Sequence, residues 1–242
     1  MSITERFAIA VAASAVDMSD PELLPVRLAR AAAVVLPVDG AGISLFFSTD
    51  RRLPLGASDE VSAVAERLQF TVGEGPCLSA HVSGQSIVAE EADIEASWPA
   101  FHDALVTQTP VRGIISMPFQ DELRGYGALD LYLVPPHDVR TVTLYDALTV
   151  TREIVSLFHR SARPAGGEDG PAWLGAPAAE RRSLVWQAMG FLNAGLDITS
   201  EDALALLRSH AYGTGSDLDD LAARVLAREV PLEELAYDDR SA

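Results

Sequence analysis

Cys77 and His81 are the two residues whose types and spacing could perform covalent chemistry. They lie four positions apart in a predicted helix that follows Gly75 and Pro76, and side chains at this spacing meet on one helix face. A helix N-terminus can lower the pKa of a thiol, so a thiolate–imidazolium pair is conceivable. The sequence offers no orienting third group and no oxyanion pocket, and a lone buried cysteine commonly acts as a small hydrophobic residue. We therefore expect a structural Cys77 and a protein that is not an enzyme.

Metal and phosphate chemistry are also disfavoured. The histidines other than His81 have no spacing that would assemble a metal site, and Cys77 is the single cysteine. The glycine-rich loop at 73–76 lacks the Gly-Lys-Ser/Thr ending of a phosphate-binding loop, so we interpret it as a turn that needs unusual backbone angles. The sequence predicts no metal ion and no cofactor.

The charge of the chain limits its partners. The 242 residues include 35 acids and 18 bases, for a formal net charge of −17, and every base is an arginine. Such acidity argues against sequence-independent binding to nucleic acids or anionic membranes, although a specific site that uses guanidinium groups stays open. The N-terminus does not resemble a signal peptide, and no segment approaches ~18 uninterrupted apolar residues. We expect a cytoplasmic protein with no membrane contact.

Hydrophobic periodicity predicts the helices and strands that must position Cys77, His81 and the other candidate residues. Strands outnumber the helices that connect them, which favours a central antiparallel sheet with flanking helices and an α+β class. A polar turn is expected at 49–52, and a short helix carries Cys77. The other predicted helices cover 4–16, 21–35, 60–69, 99–107 and 141–159, and the predicted strands cover 42–48, 53–57, 86–89, 113–119 and 127–134.

The predicted helix over 141–159 has two apolar stripes, of which only one can face the sheet. The second stripe needs another partner, either the N-terminal helices of the same chain or the same helix of a second copy. We expect a homodimer.

Glycine and proline concentrate between Arg163 and Pro177, which predicts a mobile connector without periodicity. The predicted domains are therefore 1–163, a linker at 164–177, and 178–242. The last domain shows three amphipathic stripes, which predict a small three-helix bundle. Its second helix should be capped by Thr199 and stop near Gly213, and Ser216 can cap the third.

The run Gly73-Glu74-Gly75-Pro76-Cys77-Leu78-Ser79-Ala80, with similar islands at 39–45, 97–101 and 127–132, resembles the GAF domains of actinobacterial regulators. The resemblance implies a small-molecule pocket above the sheet. Cys77, Trp98 and Phe101 are its candidate residues. The aromatic pair could equally close the hydrophobic core.

The C-terminal region, with Gln187-Ala188-Met189-Gly190-Phe191-Leu192 and Ser200-Glu201-Asp202-Ala203, resembles an ANTAR domain, the RNA-binding output module of antitermination regulators. The resemblance implies a signal-responsive regulator that binds hairpins of nascent transcripts, usually as a dimer. The family usually carries a basic residue at the position of Met189. Residues 178–235 contain five arginines and ten acids, a net charge of −5.

RNA loops can be recognised by aromatic stacking and a few guanidinium contacts. The alternative is that the aromatic residues pack in the core and the arginines are solvated, in which case the helices would dock on protein. The candidate RNA-binding residues are Arg181, Arg182, Trp186, Gln187, Gly190, Arg208 and Tyr212.

Overall fold

The computed structural model describes residues 1–48, 51–162 and 170–236. Its centre is a five-stranded antiparallel sheet in the order β2-β1-β5-β4-β3, which confirms the predicted α+β class and is consistent with a GAF-like fold. The strands are β1 (Gly40–Ser48), β2 (Arg51–Ala57), β3 (Ile87–Glu90), β4 (Gly113–Pro118) and β5 (Gly127–Leu133).

Helices cover both faces of the sheet and form the C-terminal unit. Two short helices, α5 and α11, were not predicted from the sequence. The helices of the N-terminal part are α1 (Ile3–Ser14), α2 (Leu24–Val35), α3 (Glu60–Val72), α4 (Pro76–Ser83), α5 (Glu91–Ser97), α6 (Pro99–Gln108) and α7 (Leu144–Ser161). The C-terminal helices are α8 (Pro177–Leu196), α9 (Ser200–Thr214), α10 (Leu218–Leu226) and α11 (Leu232–Ala236).

The first face of the sheet packs against α1, α2 and α7. Side chains of a strand alternate between the two faces, so Ile43, Leu129 and Leu131 point into this core. The apolar face of α7 meets them through Ile154 and Phe158, and α1 packs beside α7. The N-terminal helices of the same chain therefore cover part of the second stripe of α7.

The second face packs against α3, α4 and α6. Here the alternation brings Ser44, Ser116 and Asp130 inward, and all three are buried. A hydrophobic cluster around Phe101 and Ile114 closes the end of this face near α6. The buried polar residues of this face, Ser44 and Asp130 among them, contribute to the candidate site.

The polar turn predicted at 49–52 needs one correction. Arg51 and Arg52 were expected in a polar turn, but they begin β2, and Arg52 is only 1% exposed. Thr49 and Asp50 lie outside the described residues. A buried arginine in a strand requires anionic partners, because a charge without them is expensive to remove from water.

The segment that precedes α8 was expected to be a mobile connector, but its described part packs on the α+β domain. Trp173 is 7% exposed, its ring lies 4.9 Å from that of Phe158, and its Nε1 donates to the Ser161 hydroxyl over 3.0 Å. Residues 163–169 of the predicted linker lie outside the described residues. Trp173 thus joins the hydrophobic core of the α+β domain shortly before α8 begins at Pro177.

Helices α8 to α11 share one hydrophobic cluster, which the three predicted stripes anticipated except for α11. Thr199 caps α9 as predicted, with Asp202 completing a capping box. Helix α9 ends at Thr214, beyond the predicted stop near Gly213, because its C-cap Gly215 adopts the left-handed conformation (φ 62°). Asp217, not Ser216, caps α10.

Across the three described segments, no helix combines the length and the apolar character needed to cross a bilayer.

Candidate functional site

A group of buried polar side chains lies on the second face of the sheet, against α3. Glu66 accepts hydrogen bonds from the hydroxyls of Ser44 and Tyr132, both over 2.6 Å, and pairs with the guanidinium of Arg52. Asp130 Oδ2 lies 3.3 Å from Arg52 Nη2. One cation thus meets two carboxyl groups away from solvent. We call this group the Arg52 cluster; its members are Ser44, Arg52, Glu66, Gln69, Cys77, Asp130 and Tyr132.

Gln69 closes the Arg52 cluster on the side of α4. Its Nε2 donates to Asp130 Oδ2 over 3.2 Å, and its Oε1 accepts from the backbone N–H of Cys77 over 2.8 Å. Gly75 makes this arrangement fit, because its φ is 142° and a Cβ there would lie 2.6 Å from Gln69 Oε1. Gly73 is also left-handed (φ 83°). The unusual backbone angles predicted for this loop are confirmed.

Strand β1 leaves space for Glu66. Gly42 lies opposite Asp130 in the β1–β5 pairing, and a Cβ at Gly42 would lie 2.2 Å from Glu66 Oε1. Any larger residue would displace the carboxylate from Arg52. The glycine is thus part of the site, although it contributes no side chain.

Burial changes the ionisation of the cluster. It raises the pKa of Asp130 to about 8, helped by the nearby charge of Glu66 and opposed by Arg52, so this carboxyl group holds a proton at neutral pH. Burial alone would lower the pKa of Arg52, but Cys77, Glu66 and Asp130 raise it above its usual value. The cluster is therefore best described as an Arg52–Glu66 ion pair beside a neutral Asp130.

Burial also raises the pKa of the Cys77 thiol well above its usual value, although Arg52 opposes this. The sequence left open that the helix N-terminus lowers this pKa, but removal from solvent has the larger effect and raises it. His81 stacks on Phe46 with ring centroids 3.9 Å apart, and burial lowers its pKa. Both groups are therefore neutral, and they form no thiolate–imidazolium pair.

Three buried polar atoms of this region have no hydrogen-bond partner among the described residues: Arg52 Nε, Ser116 Oγ and Asp130 Oδ1. Ser116 and Asp130 are direct cross-strand neighbours, so two of the three atoms belong to paired positions of the sheet. Unsatisfied buried polar groups are uncommon in folded proteins and often mark functional positions. This part of the cluster can still accept a hydrogen-bonding partner.

A cavity of about 320 Å³ lies where α3 and β2 meet the C-terminal helices. Glu66, Arg67, Arg181 and Asp219 are among the residues that line it. Its volume falls within the usual range for small-molecule pockets. Since Glu66 belongs to the Arg52 cluster as well, the cavity and the cluster have one residue in common.

Helix α3 also contacts the C-terminal helices directly. Arg67 Nε lies 2.7 Å from the carboxylate of Asp217, the cap of α10. Phe70 is fully buried and belongs to the hydrophobic cluster of α8 to α11, although it comes from the α+β domain. One turn of α3 thus connects the Arg52 cluster to the C-terminal unit.

Two guanidinium groups lie over the ring of Phe70. The Cζ of Arg182 is 3.9 Å and that of Arg208 is 4.6 Å from the ring centroid. Arg182 is held by Asp219, with Nε 2.6 Å from Oδ1, and Arg208 Nε donates to the Phe70 carbonyl over 2.8 Å. Burial lowers the pKa of Arg182, Asp219 raises it, and the charge of Arg52 lowers it further. The charges of the buried Arg52 and Arg182 therefore repel each other.

The candidate RNA-binding residues occupy two kinds of position. Arg182 is buried, and Trp186 and Arg208 are half-buried where the C-terminal helices meet α3 and the α+β core. Met189, at the position of the family's basic residue, is 4% exposed and packs in the core of the C-terminal helices. The remaining four candidates are exposed: Arg181, Gln187, Gly190 and Tyr212.

Three of the exposed candidates still have partners, and for Gln187 the partner is the Ser183 hydroxyl, 3.5 Å from its Nε2. Arg181 Nη2 donates to Asp220 over 2.8 Å, and the Tyr212 hydroxyl lies 3.4 Å from Asp103 Oδ2 on α6. Arg181 is thus partly neutralised by a carboxylate of the C-terminal helices, whereas Tyr212 contacts the α+β domain.

The three pocket candidates do not share one cavity. Cys77 and Phe101 are fully buried in separate hydrophobic clusters. Trp98 donates from Nε1 to the Ser79 hydroxyl over 3.1 Å and lines a groove of about 910 Å³ together with Arg208 and Leu204. This groove separates α4 from α9.

Sequence reasoning missed Arg52, Glu66 and Gln69. A signal was available for the helical pair, because Glu66 and Gln69 are three positions apart and would share a face of the predicted helix with Ala65. Arg52 had no such signal, since an arginine after a polar turn normally faces solvent.

No model of a known protein family matches the chain, and no curated protein matches it. Among solved structures, the chain is similar to a domain described as part of a two-component sensor histidine kinase from Sinorhizobium meliloti 1021, with 22% identity, a TM-score of 0.43, and coverage of 57% of this chain and 90% of that one.

A free methionine-R-sulfoxide reductase from Neisseria meningitidis gives 14% identity, a TM-score of 0.40, and coverage of 65% of this chain and 88% of that one. An RNA-binding light-oxygen-voltage receptor gives 15% identity and a TM-score of 0.22, and the match spans 81% of this chain but about half (51%) of the receptor. At these values the similarities carry no argument about function.

Proposed function

We propose that this protein is a signal-responsive regulator of transcription antitermination whose C-terminal helices bind RNA hairpins. The proposal starts from the resemblance of residues 187–192 and 200–203 to ANTAR domains. The observation that carries it further is the position of Arg182 and Arg208. Both are candidate RNA contacts, and both lie over Phe70 of the α+β domain. A regulated RNA-binding protein requires a contact between its RNA-binding residues and the domain that receives the signal, and Phe70 makes this contact.

The input acts at the Arg52 cluster in this proposal. The cluster contains unsatisfied buried atoms, and its member Glu66 also lines the cavity of about 320 Å³, which is large enough for a small polar molecule. A ligand that moved Glu66 would also move Arg67 and Phe70, because all three lie within four residues of one helix. The small-molecule site is thus expected beside Glu66, and no catalytic step is assigned to Cys77.

The second candidate is an interaction protein whose C-terminal helices dock on another protein. It is favoured by the charge of −5 over residues 178–235 and by the burial of Met189 where the family has a base. A phosphate backbone is repelled by such a surface unless a few arginines dominate the contact.

Fluorescence anisotropy with a tandem-hairpin RNA distinguishes the two functions. We expect saturable binding that prefers the hairpin to a single strand of the same composition and weakens as salt rises. Arg181→Gln should weaken it, whereas Arg124→Gln, a loss of the same charge in the α+β domain, should not. Absence of hairpin binding at low salt would favour protein docking.

The proposal also includes a cytoplasmic location, where nascent transcripts form, and a homodimer. The exposed residues Ile9, Leu144 and Tyr145 lie on α1 and α7, which pack side by side, and offer an apolar surface for a second copy. Sedimentation of the full chain tests this directly, and Tyr145→Asp should favour the monomer.

A further inference from the structure

The contact between α3 and the C-terminal helices has an unusual composition. Two like-charged guanidinium groups, Arg182 and Arg208, lie over a single phenylalanine ring. Each needs separate compensation, which Arg182 receives from Asp219 and Arg208 from the Phe70 carbonyl. Aliphatic residues would form a purely structural contact at a lower free-energy cost, because burying guanidinium groups is unfavourable.

The same arrangement is how proteins hold an unpaired base. Splayed bases of RNA loops stack on guanidinium planes and form hydrogen bonds along their edges. A phenylalanine ring supplies the stacking surface but has no acceptor at its edge. Arg182 Nη1 is buried and has no hydrogen-bond partner within the described segments, so one donor beside the ring is left unsatisfied. A base in the position of Phe70 could provide that acceptor.

We propose that Arg182 and Arg208 form a stacking site for an unpaired base of an RNA hairpin loop. In the protein without RNA, Phe70 fills this site. The inference rests on the proposed RNA-binding function and adds to it a specific site and an internal competitor. The ring and the base occupy the same space, so RNA binding requires Phe70 to leave. Release is coupled to the Arg52 cluster, since Glu66 lies one turn before Phe70 on α3.

Substitution of Phe70 tests the inference. Phe70→Ala removes the competitor, and Phe70→Leu removes the aromatic ring but keeps an apolar side chain in a buried position. The probe is a hairpin RNA that carries 2-aminopurine in its loop, so that anisotropy reports binding and fluorescence quenching reports stacking. We expect both variants to bind at least about fivefold more tightly than the unmodified chain, the lower end of what one stacked base contributes.

The arginines are tested in the Phe70→Leu background. Arg208→Gln should abolish the gain in affinity and the quenching. Arg224→Gln is the matched control, because Arg224 lies in the same helical unit, is half exposed and pairs with Glu229. It should leave the gain and the quenching intact.

The outcomes separate the inference from the function on which it rests. If the unmodified chain binds the hairpin and the Phe70 variants bind no more tightly, the inference is overturned and the proposed function stands. Equal losses in the Arg208 and Arg224 variants would mean that only charge matters, which also overturns it. If none of the chains binds the hairpin, the proposed function itself fails.

Discussion

Glu66 and Phe70 lie one helical turn apart on α3, yet they belong to different parts of the molecule. Glu66 pairs with Arg52 inside the α+β domain, and Phe70 packs in the core of the C-terminal helices. A rigid turn of helix therefore joins a buried ion pair to the surface proposed to bind RNA. Any change that shifts Glu66 should therefore also change the contact between Phe70 and Arg182.

Glu66→Gln should destabilise the protein strongly. It leaves the guanidinium of Arg52 buried without its main counter-ion, a change that usually costs about 3–5 kcal/mol. Urea unfolding followed by circular dichroism measures the loss. Glu60→Gln is the control, because Glu60 lies on the same helix but is exposed, and it should change stability by no more than about 0.5 kcal/mol. Equal effects of the two variants would contradict the described ion pair.

Asp130 should make stability depend on pH. Its pKa is raised from 3.8 to about 8 in the folded protein, so between these values the folded state keeps a proton that the unfolded chain has released. The free energy of unfolding therefore falls as pH rises through this window, and the contribution is fully present only below about pH 4.

Asp130→Asn, which stays neutral, should remove this dependence and stabilise the protein by about 1–3 kcal/mol at pH 8. The comparison is made by urea unfolding at pH 5, 6.5 and 8. Ser116→Ala, a change at the neighbouring position without a titratable group, should leave the slope with pH as it is. A wild-type slope that survives in Asp130→Asn would place the titration elsewhere.

Gly42→Ala should disrupt the cluster from the sheet side. The added Cβ would meet Glu66 at 2.2 Å, so the carboxylate must move, at a cost of about 1–3 kcal/mol. Gly213→Ala provides the contrast, since Gly213 lies in α9 with open space around it. It should raise stability by about 0.5–1 kcal/mol through helix propensity. Thermal unfolding of both variants gives opposite shifts if the geometry is correct.

Met189→Lys should not simply restore the basic residue of the ANTAR family. Met189 is 4% exposed, so a lysine there must bury its charge or distort α8, and we expect a loss of about 1–3 kcal/mol. Met189→Leu should cost less than about 1.5 kcal/mol. Full stability of the lysine variant would mean that α8 presents this position to solvent.

The sheet and most helices could be predicted from the sequence because their signals are local. Alternation marks β4 and β5, and Thr199 with Asp202 marks the start of α9. Helix α5 was missed because it follows β3 without a loop and is only seven residues long. Trp173 shows the limit for connectors, since glycine and proline around it suggested mobility while its ring packs on Phe158.

The candidate site was harder to predict because it depends on contacts between distant residues. Arg52 and Asp130 are 78 positions apart, and Phe70 and Arg208 are 138 apart. Sequence reasoning selected Arg182 and Arg208 as cations available to RNA. Their contact with the Phe70 ring of α3 removes Arg182 fully and Arg208 partly from solvent, which no pattern within residues 178–242 could reveal.

Hydrogen–deuterium exchange of the full chain, with and without the tandem-hairpin RNA, tests the central claim most directly. We predict slower exchange in α8 and α9 when RNA is bound, together with faster exchange at residues 67–72 of α3 as Phe70 leaves Arg182 and Arg208. Unchanged exchange in both regions at saturating RNA would contradict the account.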